Sequence, residues 1–162
     1  MVDQEQHGLW VIWASFLVAY LLAVVALPDW LIQARPEWVA LALVYWTIAL
    51  PHRIGLITAL VVGVGLDALE GAVFGQNASS LMVLSLLSLV LYQRLRMFNI
   101  LQQAGTVFIL IGINQLICQW IQNLQGTGAN SLQFLLPAVS SAIMWPVVLH
   151  LLRSLRRHYR VS

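Results

Sequence analysis

Six segments of this chain, residues 9–27, 36–50, 54–72, 78–93, 100–122 and 132–152, are apolar for most of their length, with little polar sequence between them. Apolar runs on this scale decide which solvent the chain needs. A helix rises about 1.5 Å per residue, so about 20 residues cross a hydrocarbon core of about 30 Å. With their flanks, four or five of the segments meet that length. Segment 36–50 is the exception: its apolar core, Trp38 to Leu50, covers only about 20 Å as a helix, and Arg35-Pro36 disfavours helix ahead of it. Composition agrees, because 60% of the 162 residues are hydrophobic and 9% are charged, against about 25% charged in soluble proteins. So few charges cannot cover a water-soluble surface. The expected fold is therefore an all-α integral membrane protein with six transmembrane helices, or five if 36–50 does not cross, forming one polytopic domain over residues 1–162. The amino terminus carries Asp3 and Glu5 and no Lys or Arg, unlike a secretory signal, so the first apolar run is expected to remain as an anchor.

Every basic residue among the eight is arginine. A nucleic-acid surface would interleave such charges with stacking aromatics on a solvated domain, and only the tail Arg153, Arg156, Arg157, Arg160 is dense enough to consider. Topology is the better reading, because short cytoplasmic loops retain positive charge. With six helices and the amino terminus inside, Arg53, Arg94, Arg96, Arg153, Arg156, Arg157 and Arg160 are cytoplasmic, Arg35 is external, and Asn123 to Ser131 lies outside. With five helices and the amino terminus outside, all eight become cytoplasmic. Both arrangements put the carboxyl terminus in the cytoplasm. Six is preferred, because WVALALVYWTIAL left outside the core would expose a large apolar surface, and Trp38 and Tyr45-Trp46 suit a bilayer interface.

Two carboxylates lie in or beside the third segment. Gly63, Asp67, Gly71 and Gly75 recur every four residues, which on a continuous helix places them along one face with Glu70 near Asp67. Glycines at this spacing admit a neighbouring helix, and Asp67 would find a donor there instead of facing lipid. A proton or cation relay, or a ligand contact, is the functional alternative; helix packing is preferred because no intramembrane Lys, Arg or His continues a relay. In the fifth segment Gln115, Gln119 and Gln122 share a face beside Asn114 and Cys118. Amides there bond across helices, or line a pocket for a small molecule. Pro137 and Pro146, with Ser140 and Ser141 between them, predict a kinked last helix.

No catalytic constellation is present: there is no nucleophile elbow, no metalloprotease helix motif, no phosphate-binding loop and no lysine. The expectation is a non-enzyme with no cofactor and no metal. His7, His52, His150 and His158 are scattered near segment ends, and the lone Cys118 excludes an intramolecular disulfide. Asn77-Ala-Ser79 matches a glycosylation triplet that recurs by chance. The arginine tail suits anionic headgroups or a cytoplasmic partner, although topology alone explains it.

The order Arg35-Pro36-x-Trp38, Tyr45-Trp46, Leu50-Pro51-His52-Arg53, then Asp67 with Gly71 and Gly75, resembles the MreD family of bacterial rod shape-determining membrane proteins in its gamma-proteobacterial form. The resemblance covers nearly the whole chain, including the opening Trp10-Val-Ile-Trp13 and the arginine-rich end. Glu70 departs from that family's pattern, which has its acid at the Asp67 position. The resemblance implies a non-enzymatic scaffold subunit of the inner (cytoplasmic) membrane in the elongation complex. Its implied partners are MreC directly, then the actin-like MreB and the side-wall peptidoglycan synthases. It also implies a layout similar to the substrate-binding subunits of vitamin transporters, and the alternative function is a small-molecule-binding or transport subunit with a polar interhelical pocket.

Overall fold

The computed structural model describes residues 2–128 and 131–161, with side chains from Gly8 onward. The side chains of Asp3 and Glu5, and residues 129–130 of the expected outer loop, therefore fall outside what is described below. Helices α1 (Val2–Val24), α2 (Asp29–Ile32), α3 (Trp38–Ala49), α4 (Leu56–Glu70), α5 (Gln76–Met97), α6 (Ile100–Leu124) and α7 (Leu136–His158) follow in order, with a 3-10 turn at Leu132–Leu135 ahead of α7. Among the described residues there is no strand. The protein is all-α.

Local chemistry sets the breaks. Gly71 ends α4 in the left-handed region at φ 62°, and Gly75 opens α5 at φ 93°, conformations that cost a side-chain-bearing residue about 1–2 kcal/mol. Asn99 and Gln102 form a reciprocal capping box that starts α6 directly after α5. In α7, Pro137 occupies the first turn, where its missing N–H has no helical partner to lose. It therefore stands at the start of the helix, and α7 runs on through Pro146 to His158.

Helices α4, α5, α6 and α7 pack as successive antiparallel neighbours, while α3 packs against α1, α5 and α7. Ten of the 12 residues of α3 are buried, so this short helix is the core of the bundle. Around it, Leu17, Leu21, Ile57, Val90, Ile109 and Ile143 point outward. Exposed apolar side chains on every side would aggregate in water and are satisfied in lipid. Three helices, Gln76–Met97, Ile100–Leu124 and Leu132–His158, are long and apolar enough to cross a membrane; Gly8–Val24 and Trp38–Ala49 are shorter apolar helices. The chain is a multi-pass membrane protein.

The bundle has two chemically distinct ends. Gly8 lies against Val161, so α1 begins where α7 finishes, and Arg53, Arg94, Arg96 and the arginine tail gather at this basic end. Asp67, Glu70 and the α4–α5 turn lie toward the other.

Candidate functional site

Asp67 is 2% exposed in the last turn of α4, and α5 begins above it. Its carboxylate accepts the backbone N–H groups of Gly75 at 2.9 Å, Asn77 at 2.8 Å and, more weakly, Ala78 at 3.4 Å. These are first-turn donors that a helix cannot satisfy internally, and the positive end of the α5 dipole favours the negative charge placed there. Asp67 is thus the N-terminal clasp of α5. Glu70 accepts from Asn77 Nδ2 at 3.0 Å, which holds that side chain inside the bundle and accounts for the glycosylation-like triplet as a packing element. Gly63, one turn below, lets the two helices touch: a Cβ there would stand 2.8 Å from Ala78 N and 2.9 Å from Asn77 O. The four-residue spacing therefore does not form one continuous face. Gly63 and Asp67 lie on α4, whereas Gly71 and Gly75 have positive φ and shape the turn, and a Cβ at either would meet no atom within 4 Å.

A second polar node has Glu37 at its centre. This residue precedes α3, and its backbone N–H donates to Ser141 Oγ of α7 at 2.9 Å, while its carboxylate accepts from Gln115 Nε2 of α6 at 2.6 Å. One residue thus ties the start of α3 to two other helices. Gln119 is half-buried one turn along α6, and Cys118 contacts Ser80 Oγ at 3.4 Å and Asn77 Oδ1 at 3.8 Å, joining the Glu37 node to the Asp67 clasp. The Oδ1 atom of Asn114 is buried without a partner, one turn below Cys118 on α6.

Arginines finish helices. Arg35 Nη1 donates to Ala23 O and its Nη2 to Val25 O at 2.7 Å, closing the carboxyl end of α1. Arg96 donates to Ile48 O at 3.0 and 2.8 Å and to Ala49 O at 3.0 Å, closing α3, with its guanidinium 5.4 Å from the Tyr92 ring centre. Last-turn carbonyls have no helical donors, and cations at a helix carboxyl end also complement its dipole. Pro51, His52 and Arg53 line a recess with Tyr92 and Arg96. Pro36 accepts from Trp38 N at 3.0 Å.

Tyr45 and Trp46 are buried, their rings edge-on at 5.3 Å, and Trp46 Nε1 donates to Ser15 Oγ of α1 at 2.8 Å. The expected interfacial placement of this pair is therefore corrected: α3 is enclosed by protein, so its aromatics meet helices and not headgroups. Sequence reasoning also passed over Gln103, whose amide donates to Leu95 O at 2.8 Å and accepts from Trp145 Nε1 at 3.3 Å. Its position within an apolar segment was the available signal. Arg153, Arg157 and Arg160 are exposed on the tail, and Arg156 reaches Val161 O at 3.3 Å.

These features define a class: an all-α, multi-pass membrane protein in which several buried polar side chains, Asp67, Asn77, Gln103 and Ser141 among them, join its own helices. The sequence profile described as rod shape-determining protein MreD matches residues 4–155. A rod shape-determining protein MreD of Haemophilus influenzae is 25% identical over 146 residues, covering 90% of each chain. No solved structure matches. The chain belongs to the MreD family of rod shape-determining proteins.

Proposed function

We propose that this protein is a non-enzymatic scaffold subunit of the elongation complex in the bacterial inner membrane, binding MreC directly and linking it and MreB to side-wall peptidoglycan synthesis. Family membership carries the proposal. The geometry supports it, because Asp67, Glu37, Gln115 and Gln103 are each bonded to protein groups and serve the bundle's rigidity. Six helices, α1 and α3 to α7, cross the membrane, and the carboxyl terminus is cytoplasmic; the seven arginines at the basic end support that orientation. Of the polar groups that a pocket for a small molecule would draw on, Gln115 already bonds Glu37, and Cys118 already contacts Ser80 and Asn77.

The test is co-purification of the tagged full chain from native membranes, with mass spectrometry of the retained proteins. MreC recovered in a fixed ratio to the chain is the expected result. Its absence, with the chain itself abundant and monodisperse, would remove the scaffold reading.

A further inference from the structure

Helices α1 and α7 both lean on α3 and leave a groove of about 280 Å³ between them, floored by Trp38 and Ala42 of α3. Along α1 the lining runs from Trp10 to Leu22, and on α7 it runs from Val148 to Tyr159. Ser15 is the polar exception on the α1 wall, and its hydroxyl is already engaged by Ile12 O and Trp46 Nε1. The small side chains of Ala14, Ala19 and Ala42 line it. Twelve residues of helix amount to about 18 Å, the length of an extended acyl chain on one leaflet's scale.

The groove ends among aromatics and charges. Trp10 and Tyr159 flank its mouth at the basic end, as amphipathic rings do at a headgroup boundary. Arg160 follows the lining residue Tyr159 just past the end of α7, and its side chain is exposed. A cationic mouth on an apolar slot complements a molecule with one anionic end and one apolar tail.

We propose that the α1–α7 groove seats an acyl chain of an anionic phospholipid, whose phosphate is held by the arginine tail. The lipid fills the space over α3 between α1 and α7. The site stands independently of the scaffold function, since it uses only the groove and the tail.

The experiment is native mass spectrometry of the full chain released from nanodiscs containing equal phosphatidylglycerol and phosphatidylcholine. Retention of phosphatidylglycerol over phosphatidylcholine is expected. Arg160→Gln, on an exposed side chain beside the groove's mouth, should reduce that preference about five-fold. Ala14→Phe, which fills the slot, should lower retention of both lipids while the helical content is unchanged. Equal retention of the two lipids by the unaltered chain would overturn the proposal. So would undiminished preference in Arg160→Gln with the helical content unchanged. A released dimer that Ala14→Phe abolishes, with lipid retention unaffected, would assign the groove to a second copy and overturn it as well.

Discussion

Asp67 carries a charge into an apolar segment, and the structure accounts for that cost with three backbone donors from the neighbouring helix. An amide at this position keeps one acceptor oxygen and loses the charge that complements the α5 dipole. Asp67→Asn should therefore cost about 1–2 kcal/mol of bundle stability, and Asp67→Leu about 3 kcal/mol or more, because it leaves buried N–H groups unpaired. Reversible unfolding in mixed micelles measures both; equal losses would contradict the clasp. If Asp67→Asn were inserted, abundant and wholly inactive in cells, a titrating role would take its place. Gly63 is held to a different standard, since a Cβ there meets backbone atoms that cannot rotate away. Gly63→Ala should cost about 1–3 kcal/mol by forcing α4 from α5, whereas Gly71→Ala should cost about 1–2 kcal/mol through its positive φ alone. Cysteine crosslinking between α4 and α5 separates the two cases: the Gly63 variant should change its pattern and the Gly71 variant should not.

Helix α3 shows what the sequence could and could not disclose. Its apolar run and its shortness were legible, and so were the arginine and proline that precede it. Its place at the centre of the bundle was not, because lipid and protein interior are alike to an apolar side chain, so an all-apolar helix carries no stripe that tells one from the other. The same ambiguity assigns Trp46 to an interface on sequence alone, when its indole in fact bonds Ser15. Asp67 was legible as a buried acid needing a donor, but the donor's identity depended on α4 stopping at Gly71, which a four-residue glycine spacing conceals. Glu37 was hidden between Pro36 and Trp38, at a segment edge where carboxylates ordinarily meet water. Its carboxylate accepts from Gln115, and an amide oxygen can do the same without a buried charge. Glu37→Gln should hence hold stability within about 1 kcal/mol of the unaltered protein, while Glu37→Leu should lose about 1–3 kcal/mol by leaving Gln115 without its acceptor. A double-mutant cycle with Gln115→Leu checks the assignment: no coupling between the two positions would refute the node.

At the scale of the whole molecule, the basic end and the acid-bearing end set the orientation. Phosphatase and fluorescent-protein fusions should find both termini on the cytoplasmic side, because seven of the eight arginines belong to the basic end. An active phosphatase at the amino terminus with a cytoplasmic carboxyl terminus would require the five-crossing arrangement. The central claim is that this bundle acts by binding within the rod-shape machinery, and cell shape reads it most directly. In a rod-shaped bacterium whose own family member is depleted, time-lapse microscopy should show cells rounding over successive divisions and this chain restoring their cylindrical growth. Cells that stay round although the chain is inserted at normal abundance, or rods that persist through complete depletion, would contradict the account.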